Sequence, residues 1–149
     1  MKNVYIIIIL ALFSFININD SKAQTGEELV NICSQISGDD ANYLKDFLVK
    51  LPSAPPGEDP PQKKQSILLR KNTHYRFSIC SSKDYAGTAI LKLYGSNKLE
   101  ASNYQVATGK VFPSFDFKCQ TTGAYHIFVE FEDGKEGLAV VMLSFVEKF

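Results

Sequence analysis

From residue 65 to residue 146 apolar and polar side chains alternate in short runs, interrupted by turn-forming residues at intervals of roughly eight to twelve. A period of two puts one side of each run on a buried face and the other in water, as in a half-buried sheet and unlike a helix. Tyr75, Phe77 and Ile79 alternate with His74, Arg76 and Ser78, and Ala89, Leu91 and Leu93 alternate with Ile90, Lys92 and Tyr94. Tyr125, Ile127, Val129 and Phe131 line one face of the clearest run. Shorter runs cover 66–69, 101–106 and 111–118, the last with Phe115 and Phe117 flanking Asp116. Residues 138–146 are apolar on both faces, the mark of an interior strand covered from two sides. Turns fall at 70–73, at Gly95-Ser96-Asn97, at Thr122-Gly123 and at 133–137, this last reading as a hairpin loop with two glycines. The expected fold is all-β: an antiparallel, jelly-roll-like β-sandwich of seven or eight strands with a short N-terminal helix. A small closed barrel is the alternative.

Upstream of the strands the pattern changes twice. Lys2 precedes an apolar run over 4–16, shorter than the about 20 residues a membrane-crossing helix needs but within the roughly 7 to 15 of an export signal. Ser21 and Ala23 then place small residues where a signal peptidase requires them, so residues 1–23 read as a cleaved leader. No cysteine stands at that cut to carry a lipid. Next, Thr25 and Glu28 form a capping-box signature, and Leu29, Ile32, Cys33 and Ile36 recur at helical spacing, giving a helix over 26–36 within a helical segment 24–42. The sandwich domain occupies 43–149. Its first segment, 43–51, fits either a helix face or a strand, and the strand reading is taken for the second half. Five of the ten residues over 52–61 are proline, which gives an extended surface loop.

The leader implies a secreted or periplasmic protein with no membrane span after processing. About 126 residues remain, enough for one core. They carry 14 basic and 15 acidic side chains, and the longest basic cluster is Lys63-Lys64. A surface so balanced has no reason to bind a polyanion, so nucleic acid is not an expected partner. Three cysteines in an oxidising compartment allow one bridge and one spare thiol. Cys80 and Cys119 each end a strand-like run and are the expected pair, although alternation sets Cys80 opposite Tyr75, Phe77 and Ile79 while Cys119 shares the face of Phe115 and Phe117.

The turn 70–73 ahead of Tyr75-Arg76-Phe77, the strand Leu91-Lys92-Leu93-Tyr94 and the element Thr122-Gly123-Ala124-Tyr125 occur in the order seen in the bacterial pre-peptidase C-terminal (PPC-like) domain. The chain resembles that β-sandwich family over 65–146. It also resembles small secreted proteins of the Bacteroidota, through Tyr43-Leu44-Lys45-Asp46-Phe47, Ser114-Phe115-Asp116-Phe117 and Thr122-Gly123-Ala124-Tyr125. The first resemblance implies a module that contributes binding or solubility beside a secreted peptidase. Some of its relatives bind calcium through acidic loops. Here Asp84, Asp116, Glu132 and Asp133 lie near turns but form no dense acidic run of the kind that supplies six to eight oxygens, so no metal or cofactor is expected.

Catalytic motifs are missing from the sequence. No Gly-x-Ser-x-Gly elbow, His-Glu-x-x-His, phosphate loop or Cys-x-x-Cys occurs. His74 and His126 fall opposite the aromatic faces of their strands and read as surface residues. Glu130 and Glu132 alternate with apolar residues as a solvated face does. Tyr85, Tyr94 and Tyr104, near loops, are the candidate ligand contacts, since tyrosine offers a flat ring with a polar tip. The expected function is a non-catalytic exported module that binds an unknown protein or extracellular polymer. The alternatives are a small secreted hydrolase using His126 or His74, and a structural envelope or matrix component.

Overall fold

A computed structural model describes residues 23–149; the expected leader, up to residue 22, lies outside the described residues. The first element among the described residues is helix α1 (Gly26–Ser37), where the Thr25 side chain accepts from the Glu28 N–H and the Glu28 carboxylate accepts from the Thr25 N–H, the capping box expected from those two residues. Gly38, at φ 80°, ends the helix in a conformation that favours glycine.

Ten strands follow: β1 (Asn42–Leu51), β2 (Lys63–Leu69), β3 (Thr73–Ser81), β4 (Ala89–Gly95), β5 (Lys98–Ser102), β6 (Tyr104–Gln105), β7 (Lys110–Val111), β8 (Ser114–Cys119), β9 (Gly123–Phe131) and β10 (Gly137–Lys148). Segment 43–51 is strand throughout, because each of its inward residues Phe47, Val49 and Leu51 finds the core. One sheet has the order β1-β10-β3-β8 and the other β2-β9-β4-β5, with β6 and β7 as a small separate hairpin. Apart from the β4–β5 hairpin, consecutive long strands cross from one sheet to the other. That is the strand order of a jelly roll, and all long pairings are antiparallel.

The 133–137 loop, expected to close a hairpin, is instead an arch between sheets: β9 lies between β2 and β4, whereas β10 lies between β1 and β3. A short 3₁₀ turn (Glu132–Gly134), with Asp133 at φ 57° and Gly134 at φ 63°, reverses the chain there. A glycine-bearing turn permits either outcome locally. The choice falls to the next strand, whose two apolar faces need cover on both sides.

The core lies between the sheets. Phe77, Leu91, Leu93, Ile127, Val129 and Val141 are fully buried in it, and the Phe77 and Phe115 rings stack at 5.1 Å. Each such side chain contributes about 1.5–3 kcal/mol by leaving water. A second cluster forms outside the first sheet. There α1 lays Leu29 and Cys33 against Cys80, Leu138, Val140 and Met142. Strand β10 therefore sends Ala139, Val141 and Leu143 inward and Leu138, Val140 and Met142 outward beneath the helix, which explains its two apolar faces.

The expected Cys80–Cys119 bridge is not formed. Cys33 is bonded to Cys80, with Cα atoms 5.6 Å apart, and Cys119 is a buried free thiol. Cys119 points into the central core opposite Thr73 at the far end of β3, seven residues from Cys80, or about 23 Å along the strand. Opposite faces and opposite ends both forbid that pairing. The Cys119 Sγ lies 3.6 Å from the Tyr125 hydroxyl, which donates to the Thr121 carbonyl at 2.9 Å. Burial, and next the Cys119 thiol, push that phenol up to about 12.

Candidate ligand-binding groove on the second sheet

Because Tyr125, Ile127 and Val129 point inward along β9, the residues between them must face out. Strand register then assembles two rows across the outer face: Lys64 opposite Phe128 opposite Lys92, and Ser66 opposite His126 opposite Tyr94. The two-residue turn between β4 and β5 adds Ser96, at φ 55°, and Asn97 at one end, and Gln62 adds an amide at the other. All of these except Ser66 line an open cavity of about 360 Å³.

The floor of the groove is fixed by packing and by hydrogen bonds. The Tyr94 and Phe128 rings meet edge to face, 5.5 Å between centroids and 81° between planes. Such a pair contributes about 0.5–1.5 kcal/mol beyond its burial and holds both rings in place. Lys92 Nζ lies 2.6 Å from Glu130 Oε1, while Gln62 donates to the other carboxylate oxygen. Glu130 thus acts as a counter-ion that holds two lining residues, Lys92 and Gln62, in place. Lys64 Nζ stands 5.5 Å from the centre of the Phe128 ring and pairs with no carboxylate among the described residues. Ser66 Oγ and His126 Nδ1 share a hydrogen bond of 2.9 Å.

This arrangement suits recognition. It combines a rigid aromatic pair, one uncompensated cation, and amide and hydroxyl groups at the rim. The Ser66–His126 contact resembles a nucleophile with its base, but no carboxylate among the described residues is hydrogen-bonded to His126 to orient it.

Of the three tyrosines expected at a ligand, only Tyr94 reaches the groove. Tyr85 packs against the cluster beneath α1, with Lys50 Nζ 5.6 Å from its ring centre, and Tyr104 lies in the β6–β7 hairpin. Phe128 was not singled out from the sequence, and Lys64 was named only within the basic pair Lys63-Lys64. Their neighbours across the sheet were not readable.

His74, expected at the surface, is buried at 9 % exposure. It lies beneath two carboxylates, Nε2 3.1 Å from Asp116 and Nδ1 3.5 Å from Glu147. Beside it Arg76 donates from Nε to Asp116 (2.7 Å), and from Nη1 to Asp40 (2.7 Å) and to the Ser37 carbonyl (2.8 Å) at the end of α1. The guanidinium holds the carboxyls of Asp116 and Asp40 below the usual range, and its own pKa is raised by both. This network fastens the helix to β3 and β8. Of the other acidic residues near turns, Asp84 accepts from the Gln24 N–H and Asp133 faces Lys135 at 3.3 Å. Among the described residues no three His, Cys, Asp or Glu side chains come together to hold a metal, and no helix is long and apolar enough to cross a membrane.

No family model matches the chain, and no curated protein matches it in sequence. Among solved structures it is similar to PliG of Aeromonas hydrophila, described as a periplasmic lysozyme inhibitor of g-type lysozyme. The TM-score is 0.52 at 9 % identity, over 70 % of this chain and 87 % of that one. At that identity the likeness is one of fold.

Proposed function

We propose that this protein is an exported, non-catalytic β-sandwich module that binds a protein partner in the periplasm or outside the cell, through the outer face of β2, β9 and β4. The observation that carries the reading is the groove itself: Tyr94 and Phe128 locked edge to face, with Lys64, Gln62, Ser96 and Asn97 around them. Aromatic anchors ringed by polar groups are the usual centre of a protein-recognition surface. Two further features support the reading. The disulfide suits an oxidising compartment, and the structural neighbour is described as an inhibitor of an enzyme, not as an enzyme. The PPC-like resemblance also fits a binding role without catalysis.

A lysozyme is the first partner to test, because the structural neighbour is an inhibitor of g-type lysozyme. The exported protein is titrated into a g-type lysozyme and, separately, into lysozymes of other types, with residual cell-wall lysis and direct binding as readouts. Inhibition or binding that falls at least tenfold on Tyr94→Ala or Phe128→Ala, with the fold intact by circular dichroism, supports the proposal. A complex indifferent to both substitutions would show that the groove is not the contact surface. Cell-wall cleavage by the protein alone, abolished by His126→Ala, would replace the inhibitor reading with the hydrolase one.

A further inference from the structure

Strand β1 is the longest of the four sheet edges and pairs on one side only, with β10. The other edges are shorter, with seven residues on β2, five on β5 and six on β8. A short edge discourages pairing with another chain. On β1 a bulge between Tyr43 and Lys45 breaks the first turn of the ladder, after which the register runs unbroken from Lys45 to Leu51. Within that stretch Phe47, Val49 and Leu51 point into the core, leaving Asp46, Leu48 and Lys50 on the outer face. Leu48 is 51 % exposed, a large apolar side chain held in water at the centre of the regular segment. Helix α1 packs chiefly over β3 and β10 and reaches β1 at its first residue, where Gly26 lies beside the Leu48 side chain.

The five residues from Asp46 to Lys50 are self-complementary about Leu48. In an antiparallel pair related by a two-fold axis, residues equally distant from the axis face each other on the same side of the sheet. An axis at Leu48 sets Leu48 against its own copy, Asp46 against Lys50 on both sides, and Phe47 against Val49. Moving the axis to Phe47 puts Asp46 against Leu48. Moving it to Val49 puts Lys50 against Leu48, and moving it to Asp46 puts two carboxylates face to face. Across those five residues, only the register about Leu48 joins apolar to apolar and opposite charge to opposite charge.

We propose that β1 pairs with β1 of a second copy of this chain in that register, forming a closed two-fold dimer with an eight-stranded sheet across it. The contact is isologous and uses up the edge, so it ends at two copies and builds no filament. The Tyr43 hydroxyl, 2.6 Å from Asp46 Oδ1, steadies the carboxylate that meets the partner's Lys50. The dimer carries two copies of the groove, and a partner that displays two sites would be held more tightly for that reason.

Sedimentation velocity on the exported protein, from about one micromolar to one millimolar, tests the pairing. Asp46→Lys or Lys50→Asp alone turns two attractive pairs into like-charge pairs and weakens the dimer about tenfold, and the double exchange restores it to within about threefold. An independent test uses cysteine variants under mild oxidation. Leu48→Cys becomes a disulfide-linked dimer, whereas Lys50→Cys, about 14 Å from its own copy in this register, does not. A monomer throughout the concentration range, a dimer unaffected by the charge exchanges, or linkage at position 50 as readily as at 48 would each overturn the proposal. None of these outcomes bears on the groove, so this inference and the proposed function fail separately.

Discussion

The sulfur of Cys33 on α1 is bonded to that of Cys80 on β3, which fastens the helix to the outer face of the first sheet across 47 residues of chain. Both residues are almost completely buried with Leu29, Val140 and Met142, so the bond seals a packed cluster beneath the helix. Closing a loop of that length stabilises the fold by about 4 kcal/mol on the chain-entropy account. Replacing both cysteines by alanine is expected to lower unfolding free energy by that order in a urea titration. Peptide mapping without reductant is expected to recover the Cys33–Cys80 pair, with Cys119 alkylated only after unfolding.

Arg76 bridges three elements, and its loss has a signature in pH. Arg76→Gln removes the hydrogen bonds to Asp116, Asp40 and the Ser37 carbonyl. Asp116 is 42 % exposed, so water screens part of the gain, and the expected cost at neutral pH is about 2 kcal/mol. The Asp116 carboxyl is held below its ordinary 3.8 in the folded chain, so its contribution is fully present above that value and disappears as pH falls through the lower folded value. Denaturant midpoints of the parent and Arg76→Gln are therefore expected to differ most from about pH 5 upward and to converge toward pH 2.

Asn103 is a buried polar residue with all three of its side-chain contacts to backbone. Its Oδ1 accepts from the Leu91 N–H at 2.7 Å, and its Nδ2 donates to the Ala89 and Phe112 carbonyls at 3.1 Å each. Asn103→Ala leaves those backbone groups without their partner, with an expected loss of about 2–3 kcal/mol. Asn103→Leu, similarly branched but larger, is expected to be no better, because the backbone groups remain unpaired. Thermal unfolding of both variants checks this.

Gly137 opens β10 directly against Phe131, and an added Cβ would sit 2.1 Å from the ring. Gly137→Ala forces the ring or the arch to move, with an expected loss of about 1–3 kcal/mol. If the crowding is the cause, Phe131→Leu in the same chain recovers part of that loss in a double-mutant cycle.

Local chemistry settled a good deal of this structure in advance. The capping pair Thr25 and Glu28 marks the start of α1, the period of two places Tyr75, Phe77 and Ile79 on one face, and the doubly apolar run at β10 announces an interior strand. Side-chain parity follows from the backbone alone, so it needs no knowledge of neighbours. Tyr94 was legible as a candidate contact for the same reason, being an outward aromatic next to a turn. Its partners Phe128 and Lys64 were not, because nothing in their own runs says that β9 lies between β2 and β4.

What tertiary structure alone decided is adjacency. Cys80 bonds to Cys33 because a helix must cover the outward face of β10 and brings that thiol with it. The loop before β10 became an arch because a strand apolar on both faces finds cover in the first sheet, between β1 and β3. His74 is buried, though it points outward, because Asp116 and Glu147 reach over it from neighbouring strands. In each case the sequence specified which way a side chain faces, and long-range packing specified what it faces. The free energy that selects neighbours comes from burying surfaces distant along the chain, which no short window of residues contains.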